Sequence, residues 1–402
     1  MTKKKDTTHT LIPGFRQRPL MMQLGLASAA LLQPNLNKVK EKGTNFWGDK
    51  EGDEAKVTME KVIDGLRKYQ SHPYQRPNMH KSVVWSDGAS RLIWHAAKLR
   101  GKTKKAKAQI VMIPSMINGA EILDILPKER SLIGWLCTQG YDVFQLEWEN
   151  MRDDPELATL DLAIGIKISR MIEWLRKEKS DAPIFGLGYC MGGLLLAATE
   201  ILNSDFFDGL IFVATPWDFS GGGKDNVATH IRKWANEGGL LKVTHLDYMP
   251  NEWLQLIFAG TDPSMITRKF SSFADLDMSS ERAKLFVAVE DWVNGGADLP
   301  AGIVRQSVND WYIHNKPATR KWRINRKIIS PKKIVKPSLV IVPGNDTIVP
   351  PKSAKALAKQ LPDATQMLVD FGHISMMMAS KAENEFWKPM DEWIDKVIGN
   401  NL

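Results

Sequence analysis

From residue 82 onward, short unbroken apolar runs alternate with longer stretches of helical spacing. Residues 109–113 (QIVMI), 141–146 (YDVFQL), 183–187 (PIFGL) and 210–214 (LIFVA) are such runs, and their continuity predicts strands buried on both faces. Residues 131–138, 160–177 and 194–202 place apolar side chains three and four apart, which predicts helices between the strands. Ahead of the series, SVVWSDG and RLIWHAAKL flank Asp87-Gly88, a hairpin signal. Strands alternating with helices predict an α/β fold with a mostly parallel sheet covered on both faces. The alternation stops near residue 220. Residues 221–335 are rich in Trp, Met and charge and read as a helical cap insertion; strands return at 338–342 and 367–370, with a closing helix over 383–397. The first 80 residues read as a helical or irregular extension, with a helix over 57–69 and a turn-rich stretch at 71–78. The expected organisation is therefore an extension (1–80), a first core segment (81–220), the cap (221–335) and a second core segment (336–402).

Composition narrows the class. The chain has 402 residues, 43% hydrophobic and 25% charged, which suits a globular protein with a large core. Two cysteines, Cys137 and Cys190, make no disulfide framework, so a reducing, cytoplasmic setting is expected. No apolar run reaches the ~18 residues of a membrane span. The run at 20–32 is read as a buried or amphipathic helix, because Gln23 interrupts it and Pro34 stands where a cleavage site would be. The net charge is +8, and residues 320–336 hold eight Lys/Arg and no acid. Such a face attracts anions. No zinc-ligand spacing or nucleic-acid module accompanies it, so neither a metal site nor nucleic-acid binding is expected.

One motif carries chemistry. Gly188-Tyr-Cys-Met-Gly-Gly193 lies between the strand run 183–187 and the helical run 194–202. It has the G-x-nucleophile-x-G spacing of the elbow in α/β-hydrolase folds, with Cys190 in place of serine. Small residues two before and two after let the strained turn pack, and the amide of Met191 then faces a developing oxyanion. In this fold the acid and base follow the nucleophile in chain order. Asp346 follows the run 338–342 and His373 follows 367–370; they are the expected acid and base for Cys190, with Asn345 as fallback for the acid. The second oxyanion amide is expected at Met116 or Ile117, in the loop after 109–113. Asn118 in that loop is a candidate for substrate contact or for orienting the loop, and is also an ordinary turn residue before Gly119. Cys137 sits on an apolar helical face and reads as packing.

These segments together resemble the polyhydroxyalkanoate synthase family. The resemblance runs from about residue 82 to the C-terminus and rests on IPSMINGAEILDILPKERSLIGWLCTQGYDVFQLEW, the GYCMGG box, FVATPWDF, AVEDWVNGGADLP, PGNDTIVP and FGHI. It implies an enzyme that moves (R)-3-hydroxyacyl groups from coenzyme A thioesters onto Cys190, with Asp346 and His373 completing the triad and no cofactor. It also implies a polyester product, with granule or homodimer association. On that basis Arg323, Arg326 and Lys327 are candidates for the CoA phosphates, and the cap for shelter of the acyl chain. Departures from the family pattern are Thr347 where His commonly follows the Asp, Glu147-Trp148-Glu149 for Asp-Trp-Gly, and Trp292-Val-Asn-Gly-Gly-Ala for Trp-Asn-x-Asp. The alternatives are a cysteine hydrolase using the same residues, cleaving a thioester, ester or polyester, and a non-catalytic protein that binds granules or a partner.

Overall fold

A computed structural model describes residues 25–29, 31, 50–77, 82–99, 105–127, 129–178, 181–221, 226–262 and 264–400. The N-terminal lysines and most of the 20–32 run lie outside these; residues 25–29 and 31 of that run are helical.

The buried runs form one eight-stranded sheet. Its strands are β1 (Ser82–Asp87), β2 (Ser90–His95), β3 (Ala108–Ile113), β4 (Tyr141–Trp148), β5 (Ile184–Tyr189), β6 (Gly209–Val213), β7 (Ser338–Pro343) and β8 (Ala364–Val369). Their spatial order is β1-β2-β4-β3-β5-β6-β7-β8. β2 pairs antiparallel with β1 and β4, and the other neighbours are parallel. β3, β5, β6 and β7 are buried along their whole length, as continuous apolar strands between helical layers must be. The expected hairpin closes as Asp87 opposite Ser90, with Gly88 at φ 57°, a left-handed conformation that favours glycine.

That hairpin turn is tied down by a buried cation. Lys167, 2% exposed, places Nζ 2.9 Å from Asp87 Oδ1, 3.0 Å from Asp154 Oδ2 and 2.9 Å from Glu156 Oε2. Asp154 Oδ2 also accepts from the Ala89 N–H at 2.9 Å, and Arg170 bonds Asp87 and Glu156 from outside. Burial works against charge on Lys167, Asp87 and Asp154, but the ion pairs outweigh it. Lys167 is held above its ordinary range and both aspartates below theirs. Glu156 is lowered by Arg170 and then Lys167.

Two compact units emerge. One comprises the described residues within 77–261 and 296–402, the other those within 1–76 and 262–295. The stretch expected to form one cap, 221–335, is thus divided between them, and so is the expected N-terminal boundary moved from 80 to 76. The reason is local to the second unit. Its helix Lys50–Ser71 presents Val62, Leu66 and Tyr69 to Ile266, Phe270 and Phe273 of Met265–Ala274 and to Val287 of Glu281–Asn294. A Cβ at Gly65 would lie 2.0 Å from the Phe270 carbonyl oxygen, so glycine lets the two helices touch. Tyr69 donates to Asp291 Oδ1 at 2.8 Å.

Within the sheet-containing unit, two short pairings not expected from the sequence appear between Tyr248–Met249 and Leu299–Pro300 and between Arg323–Ile324 and Lys327–Ile328. A helix not read from the sequence covers Pro351–Ala358. The 160–177 helix is interrupted by a π segment over Ala163–Ile168. Cys137 is buried and burial pushes its thiol up to about 11, as a packing residue requires.

The helix after β5, Met191–Leu202, carries a buried carboxyl near its far end. Glu200 is 5% exposed, Oε2 has no hydrogen bond among the described residues, and burial raises its pKa to about 7 from 4.5, with Asp205 adding and Lys336 opposing. A carboxyl raised on folding contributes no penalty below the unfolded value; stability falls as pH rises from there to about 7. Glu200→Gln is therefore expected to stabilise the protein by about 1–3 kcal/mol at pH 8 and by nothing measurable at pH 4. Urea denaturation at the two pH values checks this, and a pH-independent difference would contradict it.

Candidate active site

Cys190 sits between the end of β5 and the first residue of the Met191–Leu202 helix, with φ 55° and ψ −125°. A non-glycine residue held there stores roughly 1–3 kcal/mol of strain. The surroundings enforce it: the Cys190 N–H donates to the Val213 carbonyl at 2.8 Å, and the Gly193 N–H to the Cys190 carbonyl at 3.0 Å. Close approach explains the glycines. A Cβ at Gly188 would lie 2.5 Å from Gly193 Cα, and one at Gly192 2.0 Å from the Ile113 oxygen. The elbow helix is thus pressed onto the ends of its own strand and of β3.

The two loops beyond β7 and β8 are zipped together by the Gly344 N–H to Val369 and Asn345 N–H to Phe371 bonds, 2.8 and 3.0 Å. Asp346, fully buried at its side chain, accepts on Oδ1 from the Ile348 and Val349 N–H groups at 2.9 and 2.8 Å. Its Oδ2 lies 2.6 Å from His373 Nδ1. That contact puts a proton on Nδ1 and leaves Nε2 to face Cys190. Tyr189 steadies the base from below, donating to the His373 carbonyl at 3.1 Å with ring centroids 5.2 Å apart. Burial disfavours a charged His373, but Cys190, by charge and hydrogen bond, and Asp346 together raise its pKa to about 10. Asn345 turns outward, its Nδ2 2.7 Å from Asp370 Oδ1, and takes no part.

The loop after β3 separates the two oxyanion candidates. The Ile117 N–H is engaged by Ser115 Oγ at 3.1 Å, whereas among the described residues no such bond takes the Met116 amide. The Met191 amide is in the first turn of the elbow helix, where N–H groups lack intrahelical partners. The loop is braced by Gly296-Ala297: the Ala297 N–H donates to the Ile117 carbonyl at 3.1 Å, and a Cβ at Gly296 would lie 2.8 Å from that carbonyl and 3.0 Å from Asn118 Nδ2. Asn118 thus belongs to the brace, while the Ile117 side chain lines the pocket.

Above Cys190 opens a pocket of about 990 Å³ counted out to its mouth. Its walls are mostly apolar and include Leu194, Val227, Ile231, Trp234, Leu254, Phe258, Val304, Val308, Trp311 and Tyr312. Sequence reading missed these as site residues. The Trp- and Met-rich cap was visible, and the helix Val227–Trp234 is amphipathic, but periodicity does not say whether an apolar face meets a core or a cavity.

The basic residues lie elsewhere. Arg323, Arg326 and Lys327 form the small hairpin, which is absent from the pocket walls. Lys327 Nζ donates to the Ile201 carbonyl, the Asn325 N–H to Asp161, and Arg323 Nη1 to the Arg326 carbonyl at 2.7 Å. The hairpin braces the carboxyl end of the elbow helix, where a cation complements the helix dipole, about 15 Å along the axis from Cys190 at 1.5 Å per residue. The structure does not bring these three residues together with the nucleophile.

No group of three or more His, Cys, Asp or Glu suited to a metal ion occurs among the described residues, and none of their helices is long and apolar enough to cross a membrane. Comparison with known proteins gives the same fold. Residues 129–379 match the model of the alpha/beta hydrolase fold family. The chain is 26% identical over 319 residues to the poly(3-hydroxyalkanoate) polymerase subunit PhaC of Haloferax mediterranei, covering 77% of this chain and 63% of that protein. It is 25% identical over 320 residues to the subunit of the same name from Allochromatium vinosum, covering 79% and 88%. The chain therefore spans less than two thirds of the first relative and most of the second. The matching family model, the sheet order and the elbow agree: the chain belongs to the alpha/beta hydrolase fold family, and within it is similar to the poly(3-hydroxyalkanoate) polymerases.

Proposed function

We propose that this protein is a polyhydroxyalkanoate synthase-like acyltransferase that takes (R)-3-hydroxyacyl groups from coenzyme A thioesters onto Cys190. The observation that carries the reading is a cysteine, not a serine, at a strained elbow beneath an apolar pocket, with His373 and Asp346 in a 2.6 Å contact beside it. A thiolate suits thioester exchange because attacking and leaving sulfurs have similar basicity.

In this mechanism the Cys190 thiolate attacks the thioester carbonyl, with His373 holding the proton. The oxyanion takes hydrogen bonds from the Met191 and Met116 amides. Collapse breaks the carbon–sulfur bond to CoA, which leaves with the proton from His373 Nε2. His373 then removes a proton from the hydroxyl of a second acyl chain; that oxygen attacks the Cys190 thioester, forming an ester and releasing the thiolate. Asp346 keeps the Nδ1–H tautomer throughout. The reaction needs no cofactor. Hydroxyacyl-CoA and the growing polyester are the partners, and granule association follows from the insolubility of the product.

Incubation with (R)-3-hydroxybutyryl-CoA tests the reading. Free CoA with insoluble polymer is the expected result. Free CoA with soluble hydroxy acid would make the chain a hydrolase with the same residues. No CoA release and no acyl label on Cys190 would sink both.

A further inference from the structure

The polar groups of the pocket wall differ in whether the protein itself engages them. Five oxygen-bearing side chains line the pocket with Cys190: Asp218, Asn226, Ser307, Ser353 and Tyr312. Four are engaged by the protein. Asp218 Oδ1 accepts from the Ser220 N–H at 2.9 Å and from Asn315 Nδ2 at 2.8 Å. Asn226 caps its helix through the Thr229 N–H at 2.7 Å. Ser307 Oγ donates to the Ile303 carbonyl at 2.7 Å, and Ser353 Oγ accepts from the Trp217 N–H at 3.2 Å. The phenol of Tyr312 alone has no hydrogen-bond partner among the described residues.

Tyr312 is also held still. It lies in a π segment, Val308–Ile313, an irregularity common at functional positions. Its ring meets Phe219 edge-on at 4.9 Å, and Arg232 Nη1 reaches both the Phe219 and Tyr312 carbonyls, at 2.9 and 3.4 Å. Burial, and then the charge of Cys190, raise the phenol above its ordinary range, so it is a neutral hydroxyl within the field of the nucleophile. The Trp311 indole N–H, also without a hydrogen-bond partner among the described residues, is packed against Phe219 and Trp322 and can only donate.

We infer that Tyr312 is a specificity-determining residue whose phenol hydrogen-bonds the 3-hydroxyl of the acyl group carried to Cys190, selecting hydroxyacyl over plain acyl thioesters. This rests on the acyl-transfer reading above. The chemistry demands such a group: an apolar wall gains little from a substrate hydroxyl, whereas a buried polar partner rejects an analogue that leaves it unpaired.

The test compares single-turnover CoA release from (R)-3-hydroxybutyryl-CoA and butyryl-CoA, by wild type and Tyr312→Phe. Wild type should favour the hydroxy ester at least about tenfold, and Tyr312→Phe should lose about 10–100-fold on the hydroxy ester and under about threefold on butyryl-CoA, consistent with one lost hydrogen bond. Equal losses on both esters, or a wild type indifferent to the hydroxyl, would overturn the assignment while leaving acyl transfer intact. Because the wild-type preference is read without any substitution, an indifferent wild type overturns the inference even if the variant does not fold. CoA release from neither ester by wild type would instead overturn the acyl-transfer reading, and this assignment with it.

Discussion

Cys190→Ala is expected to lower CoA release from (R)-3-hydroxybutyryl-CoA by about 10⁵-fold or more, with the unfolding transition essentially unmoved. The magnitude follows from removing the group that carries the covalent intermediate in the proposed mechanism; nucleophile deletions in triad enzymes reach about 10⁶-fold. Folding should survive because the elbow is set by backbone contacts, the Cys190 N–H to Val213 and the Gly193 N–H to Cys190 bonds, which alanine keeps. Cys190→Ser should fall between wild type and alanine, since the hydroxyl needs His373 to remove its proton in the transition state, and an alkoxide is a poorer partner for thioester exchange. Thiol-trapping assays of released CoA measure all three. Retention of more than a tenth of the activity by Cys190→Ala would place the chemistry on another residue.

The second large effect concerns stability. Lys167→Met should cost about 3–5 kcal/mol, because it leaves carboxylates facing one another in a site from which the cation has been removed. The buried partner Asp154 bears most of this, being 6% exposed; Glu156 is near water and adds little. The sign of the pH dependence is fixed by the shifts. In the wild type the lowered carboxyls contribute stability that is present above their ordinary values near 4 and is lost as pH falls through their folded values; the raised Lys167 contributes below its ordinary 10.5 and loses that at higher pH. In the variant, Asp154 loses its cation and protonates more readily, while Arg170 still pairs with Asp87 and Glu156, so the gap between variant and wild type should be widest near pH 7 and shrink below pH 4. Urea midpoints at pH 7 and 3.5 read this, and equal midpoints at pH 7 would refute it.

Much of the architecture was legible because parallel strands buried on both faces leave a continuous apolar trace. QIVMI, PIFGL and LIFVA each became a central strand. The elbow was legible for a steric reason: a side chain at Gly188 or Gly192 would strike backbone, so the glycine spacing records the turn. The chain order of Asp346 and His373 after their strands put both at the sheet edge where Cys190 opens, and the 2.6 Å contact between them is there. Other features leave no local trace. Which of the Met116 and Ile117 amides Ser115 Oγ engages is a side-chain contact that periodicity does not record. The division of the cap depends on which long-range partner residues 262–295 take, and Gly65 against Phe270 is a pairing across some 200 positions. The basic run shows charge but not place, and the structure puts Lys327 at a helix end and Arg323 on its own turn.

The sheet order also sets a timetable for synthesis. β5 and the elbow helix are adjacent in sequence, so Cys190 can reach its turn soon after residue 202 leaves the ribosome. β7 and β8, which bear Asp346 and His373, follow about 150 residues later and complete the sheet on the far side of β6. At 5–20 residues per second this interval is about 8–30 s. The helix Lys50–Ser71 waits longer still for its partners at 262–295. A nascent chain therefore carries the proposed nucleophile before its proposed acid and base, and an amphipathic helix before the partners of its apolar face. The helix gains its partners by residue 295, whereas the proposed acid and base arrive only in the last sixth of the chain, so that final stretch governs when the sheet closes and the proposed triad is complete.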